Sequence, residues 1–460
     1  MTFAAESFAR FAADLRFEAL PEEVKERAKD LFLDTIGIAL FGAAAPWSKA
    51  SRTVITQPGP CAVFGTSLST SADLAALVNG VAAHAYDYDD VHNESITHPA
   101  AALVPAILAV GQAKRAGGKI VLLALVAGYE VVARVGTALV PLRHRLRGFH
   151  PTGTCGPFGA SLATGFILGL DTERLVCALG IAGSCASGLM EYWADGTMTK
   201  RVHAGLAAHH GVLAAFMAAA GFTGPASIFE GRSGLLRAYT DDPTPEKLTE
   251  GLGKGYEILN SQIKLYACRS ALHTTLEALF QLRKAYAIDV EEIIEITVGH
   301  VRRERVSDHP EQPRTILEAQ MSLPFTVAVA LYEGAAGPSQ YSEKKLSDPR
   351  ILALASRVKP VLSEELLQFV KKDPKSLPST VEILMRSGKK FFHSVDYPPD
   401  GPGNRSGREA LIRKFNEMAG EVLGLEKAER VIHSVLCLER LDDVSPLCEL
   451  LIPEASHAIL

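Results

Sequence analysis

The sequence predicts a mainly α-helical protein with an α+β part, and three observations carry that prediction. Apolar residues recur at helical spacing through most of the first 265 residues. After about residue 265, β-branched alternation takes over: EEIIEITVGHVRRE (291–304) reads as a strand, and STVEILMRSGKKFFHSVDY (379–397) as two strands turning near Ser387 and Gly388. Helical periodicity returns in REALIRKFNEMAGEVLGLEKAERVIHSVLCLE. The expected architecture is a large all-helical domain built from residues 1–265 and 398–460, with a smaller α+β domain, 266–397, inserted between its halves.

In chain order, residues 21–42 form a helix with Pro21 at its first position, acidic residues in its first turn, and Val24, Ala28, Leu31, Thr35 and Ile38 on one face. Leu74, Leu77, Val78, Val81 and Ala85 mark a second helix after a possible Ser71 cap. The segments 99–114 and 118–139 are helices rich in Ala, Leu and Val, the first interrupted by Pro105, which should kink it. Segments 157–170, 175–190 and 201–220 continue in this style, with small residues that permit close helix packing. A helix at 271–286 opens the α+β part.

Composition narrows the function classes. With 47 % hydrophobic and 22 % charged residues, the 460-residue chain has ample material for a core. A net charge of −5 without a long basic run excludes a general nucleic-acid binder. Seven cysteines without CxxC spacing fit neither a disulfide framework nor a zinc ribbon, and point to a reducing compartment. The N-terminal residues carry acidic side chains where a signal peptide would be apolar, and no window of about 18 residues lacks polar interruptions. A cytoplasmic protein without a membrane partner is expected.

The chemistry concentrates in residues 84–99, HAYDYDDVHNESITHP, between two helices. Pro99 suits the first position of the second helix and Thr97 or His98 can cap it, which places His98 beside unpaired backbone N–H groups where anions bind. A solvated loop is the ordinary alternative. A metal site is the sharper one, since His84, Asp87, Asp90 and His92 are ligand types, but no second cluster completes a signature such as HExxH.

Three further sites place a cationic or ionisable residue at a helix start. His150 precedes Pro151 in RGFHPTGTCGPFGA, Lys200 and Arg201 follow the possible caps Thr197 and Thr199, and Lys264 and Arg269 flank the entry to the α+β part. Cations at a helix N-terminus oppose the macrodipole by ~0.3–1 kcal/mol each, so the repeated arrangement calls for a compensating anion. For each long side chain alone, pointing into solvent is the simpler explanation. Neither GxxxxGK[ST] nor GxGxxG occurs, which removes the usual phosphate and dinucleotide readings.

The motifs HAYDYDDVHNESITHP, GFHPTGTCGPFGA, LGIAGSCASGLMEY, DGTMTKRVHAGLAAHHGVLAA, GFTGPASIFEG, IKLYACRSALHTTLEAL and AQMSLPFTVAVAL, in this order, resemble the MmgE/PrpD family, which includes 2-methylcitrate dehydratases, cis-aconitate decarboxylases and an iminodisuccinate epimerase. The resemblance implies an all-helical domain with an inserted α+β lid, a homodimer, and a site between the two domains that takes a small di- or tricarboxylate without metal or organic cofactor. Carried over by motif, Asp87, His98, His150 and Lys200 are the expected catalytic residues. Asp90, His92, Thr97, Arg201, Lys264, Arg269 and His273 are expected to bind substrate. The chain departs at Val91, where many members have threonine, and at Phe325, where several have tyrosine. The expected function is a lyase, dehydratase or decarboxylase, with a dicarboxylate epimerase, a non-catalytic polycarboxylate-binding protein and a metal-dependent hydrolase as alternatives. All three family reactions pass through a carbanion-like species beside a carboxylate, so they need a base, an acid and positive charge.

Overall fold

The computed structural model describes residues 2–301, 311–373 and 375–454. Helices dominate, and two large hydrophobic cores form among the described residues. The larger joins residues from Phe8 through Leu31, Ile107, Leu125 and Phe158 to Val431 and Leu447, so both ends of the chain share it. The smaller gathers Leu276, Ile296, Val329 and Ile383, and takes in Ile38, Tyr88 and Met418 from the helical part.

The first long helix is Glu22–Gly42, with Pro21 as its N-cap rather than its first residue. Ala72–Ala83 follows Ser71, whose hydroxyl makes no capping bond. Pro99–Lys114 runs through Pro105 as one helix, and Gly118–Ala138 follows it. The next long helix, Pro151–Ile167, starts six residues before the expected 157, directly after His150 and through the glycines. Thr172–Ala182 ends well before the expected 190, and Thr199–Ala219 has Met198, not Thr197 or Thr199, at its N-cap.

Small residues let these helices approach. A Cβ on Gly80 would lie 2.7 Å from the Cα of Gly205, so Ala72–Ala83 and Thr199–Ala219 cross backbone to backbone only because both positions are glycine. That crossing sets Lys200 over the residues that follow Ala83. By length and composition two helices among the described residues, Gly118–Ala138 and Thr199–Ala219, are apolar enough to cross a membrane, but 89 % and 56 % of their apolar windows are buried inside the protein.

The smaller core is covered by a four-stranded sheet in the order Val358–Leu362, Ile293–His300, Ser379–Met385, Lys390–Val395. The first pair is parallel and the others antiparallel. The hairpin turns at Gly388, whose φ of +83° suits glycine. Val358–Leu362 escaped the sequence reading because only Val358 is buried, which leaves no apolar alternation. Residues 302–304 of the expected first strand lie outside the described residues.

Two connections tie the site's segments together. Val91–His92 pairs antiparallel with Ser261–Gln262, which brings the Lys264 segment alongside the 84–99 motif. Lys414, from the helix Arg408–Leu423, is buried and donates to Asp34 Oδ1 (2.6 Å), the Tyr88 carbonyl (2.9 Å) and the Lys264 carbonyl (2.7 Å). One ammonium thus fixes three distant stretches of chain.

Candidate active site

Three helix N-termini converge on one cavity. His98 is the N-cap of Pro99–Lys114, His150 the N-cap of Pro151–Ile167, and Lys200 lies in the first turn of Thr199–Ala219. Proline at the first helical position follows both histidines, so each imidazole leaves the chain where the backbone turns into the helix. The His98 amide donates to Thr152 Oγ1 (3.1 Å), locking the first two starts together.

The cavity encloses ≈ 590 Å³ with its open mouth, and its wall includes Asp87, Val91, His98, His150, Lys200, Lys264 and Arg269, together with Tyr192, Trp193 and, from the short helix Pro141–Leu146, Arg145. Asp87 is at its electrostatic centre. Its carboxylate is paired with Lys200 and lies 3.3 Å from Lys264 Nζ, which also donates to the Asp87 carbonyl at 2.8 Å. Burial alone would raise this carboxyl's pKa, but the two ammonium groups hold it well below the usual range. Burial lowers the pKa of Lys200, against the pull of Asp87.

Burial works against protonation of the site histidines. His98 Nδ1 donates to the Asp90 carbonyl (2.7 Å), which leaves Nε2 with a lone pair. Burial drops its pKa to about 3, although Asp89 at 3.4 Å opposes the shift. His150 is pushed well below its ordinary value by burial and by His203, whose Nδ1 is 3.0 Å from its own. His84 donates from Nδ1 to Asp89 Oδ2 at 2.6 Å, and its ring stacks 5.8 Å from that of His150.

Of the expected site residues, Asp87, His98, His150, Lys200, Lys264 and Arg269 are brought together. Five do not line the cavity. Asp90 accepts from the Ala100 amide and from Tyr129 Oη, bracing the loop from behind; burial and the neighbouring Asp89 raise its pKa. His92 bonds to Ser95 Oγ and Glu257, and Thr97 Oγ1 to Ser95 Oγ. Arg201 is buried against the Trp47 ring and donates to Gln320 Oε1. His273 packs against Tyr266 and meets Gln262. Each of these five side chains meets a protein partner or turns into the core.

Val91 does line the cavity, as an aliphatic wall where a hydroxyl was expected from the resemblance. Phe325 does not: it is fully buried in the smaller core, 6.4 Å from Tyr341. The sequence reading missed Arg145, Tyr192, His203 and the His84–Asp89 pair. Arg145 and Tyr192 sit in short helical turns, Arg145 outside every quoted motif and Tyr192 at the very end of one, while the side chains of His84 and Asp89 meet across a left-handed turn that spacing does not reveal.

His84, Asp89 and His98 also offer three ligand-type atoms within 4.8 Å of one another. Of these residues, His84 bonds through Nδ1 to Asp89 and His98 through Nδ1 to the Asp90 carbonyl, while His84 Nε2 and Asp89 Oδ1 have no hydrogen-bond partner. What the cavity offers chemically is clustered positive charge with imidazoles beside it, a receptor for a polyanion with proton transfer at hand.

The comparisons with known proteins agree in extent with the whole chain. The family model of the MmgE/PrpD N-terminal domain matches residues 6–248, and that of the MmgE/PrpD C-terminal domain matches residues 266–440. A cis-aconitate decarboxylase from Aspergillus terreus is 32 % identical, covering 96 % of this chain and 94 % of the relative. The cis-aconitate decarboxylase-like protein oryM from Aspergillus oryzae is 30 % identical over 96 % and 95 %, and the human cis-aconitate decarboxylase 27 % over 97 % and 94 %. The helical fold, the motif loop and both family models therefore lead to one identification: the chain belongs to the MmgE/PrpD family.

Proposed function

We propose that the chain is a lyase that decarboxylates cis-aconitate or a closely similar unsaturated tricarboxylate. The observation that carries this reading is the Asp87–Lys200–Lys264 cluster facing His98 and His150 where three helices begin. The names of the relatives supply the substrate class.

Breaking a C–CO₂ bond next to a carbon–carbon double bond leaves an electron pair delocalised over an allylic carbanion, which must then take up one proton. Lys200, Lys264 and Arg269, with the helix N-termini, hold the carboxylates and stabilise the growing negative charge. Asp87 keeps the two lysines oriented and prevents their mutual repulsion from opening the site. A bound trianion raises the proton affinity of the neutral histidines, so His98 or His150 becomes a proton donor when substrate arrives. The α+β unit acts as a lid that excludes water. A proton donor and cations suffice for this chemistry, and side chains of the chain supply both.

Proton NMR of the purified protein with cis-aconitate, citrate and 2-methylcitrate tests the reading. Loss of one carboxylate from cis-aconitate with new terminal-alkene signals is the expected result. Alkene formation from a hydroxy acid instead, with cis-aconitate untouched, would make the protein a dehydratase and overturn the decarboxylation.

A further inference from the structure

The turn that carries Asp87 is pinned from the α+β unit. Tyr86 and Asp87 both adopt left-handed backbone conformations, with φ of 58° and 52°. Residues with a side chain hold this conformation when their surroundings impose it. On the Asp87 side, Lys264 grips the carbonyl. On the Tyr86 side, the grip is Gln320: its Nε2 donates to the Tyr86 carbonyl and, at 2.9 Å, to the Ala267 carbonyl, while its Oε1 accepts from Arg201 Nη2 at 2.9 Å. Carbonyls only accept and a guanidinium only donates, so these neighbours fix which way the amide points. Gln320 is fully buried and belongs to the helix Ile316–Met321.

Arg201 completes the link. It is 2 % exposed, stacks over Trp47 with Cζ 5.1 Å from the ring centroid, and leaves Nε and Nη1 without partners. Its directed bond goes to Gln320, and it follows Lys200 in the same helical turn. The amide of Gln320 therefore touches the helix that presents Lys200, the turn that presents Asp87, and the segment that follows Lys264.

We infer that Gln320 is a positioning residue, which through the Tyr86 carbonyl makes the placement of Asp87 against Lys200 conditional on the α+β unit being seated on the helical part. The catalytic consequence rests on the function proposed above; the structural one does not.

Hydrogen exchange over residues 84–98 in the full chain, compared between wild type, Gln320→Glu and Gln320→Met, tests it alongside kcat and KM for cis-aconitate. Gln320→Glu keeps an acceptor for Arg201 and loses the donor to both carbonyls; Gln320→Met keeps the shape and loses every bond. Both variants should exchange at least ~10-fold faster over 84–98 than wild type, as loss of one or two buried hydrogen bonds allows, with the rest of the helical part unchanged. Turnover should fall ~10²-fold with KM altered less than about threefold. Wild-type exchange in Gln320→Glu would overturn the proposal, as would faster exchange spread over the whole molecule, which marks a merely structural residue. Should Gln320→Met not fold, Gln320→Glu alone decides. Failure of wild type to turn over cis-aconitate would sink the proposed function, and the exchange comparison would still decide the role of Gln320.

Discussion

Lys200 and Lys264 share one carboxylate, and that sharing determines what each substitution does. In Lys200→Met, Asp87 keeps Lys264 as a partner, so the loop stays ordered while the substrate loses a cation. Steady-state kinetics should show kcat/KM reduced ~10²–10³-fold, the range for removing one electrostatic donor aimed at developing charge. His98→Asn keeps an N–H to donate to the Asp90 carbonyl and removes the ring nitrogen Nε2; kcat should fall ~10²–10⁴-fold, with the fold intact by circular dichroism. Phe325 gives the opposite expectation. The family resemblance marks it as a missing tyrosine, but it is buried in the smaller core away from the cavity. Phe325→Tyr should leave turnover within about twofold and cost ~1–3 kcal/mol of stability in urea unfolding, because it buries a hydroxyl. The histidine–proline and lysine positions were legible in sequence because helix starts have local rules. The five residues that turned away from the cavity were not, since side-chain direction in a loop depends on partners far along the chain, such as Glu257 for His92.

At the scale of elements, Lys414 joins Glu22–Gly42, the motif loop and the Lys264 segment. Its partner Asp34 is fully buried, and burial raises that carboxyl to about 6 even against the pull of Lys414. Lys414→Met strands this carboxylate, and denaturant unfolding should show a loss of ~3–5 kcal/mol; adding Asp34→Leu should restore much of it, because a broken buried pair costs more than an absent one. Helix positions were readable from periodicity, and the hairpin from alternation and Gly388. Ends were read less well: Pro151–Ile167 begins earlier than its apolar run because Pro151 starts the helix and the glycines pack against neighbours. Gly153, for one, has no room for a side chain beside the Ser187 carbonyl. The Gln320 contacts had no signal at all, since a buried amide between two carbonyls and a guanidinium leaves no pattern along the chain.

For the whole molecule, buried titratable groups set how stability follows pH. Burial lowers the pKa of seven histidines among the described residues, with His98 and His273 at about 3 and His144 and His203 at about 4. Unfolded histidines take up protons near pH 6.5 while these take them up only at lower pH, so the unfolded state binds more protons and the native state loses stability as pH falls through that value. Asp30, Asp34, Asp90 and Glu130 have raised values and push the other way, since the native state keeps their protons longer. Seven against four leaves the histidines in control, and each net proton contributes ~1.4 kcal/mol per pH unit. Thermal unfolding should show a Tm that falls steadily from pH 6.5 to 4.5.

In the proposed function the fold holds an imidazole and a cluster of cations around one polyanion, and a single experiment addresses that directly. Wild-type protein and Lys200→Met are incubated with cis-aconitate in D₂O, and the product is read by proton NMR. The expected result is one solvent deuterium incorporated for each carbon dioxide released by wild type, with the rate at least ~10²-fold lower in the folded variant. Equal rates in the two proteins would contradict the role given to Lys200, and binding of cis-aconitate by wild type without any release of carbon dioxide would contradict the lyase.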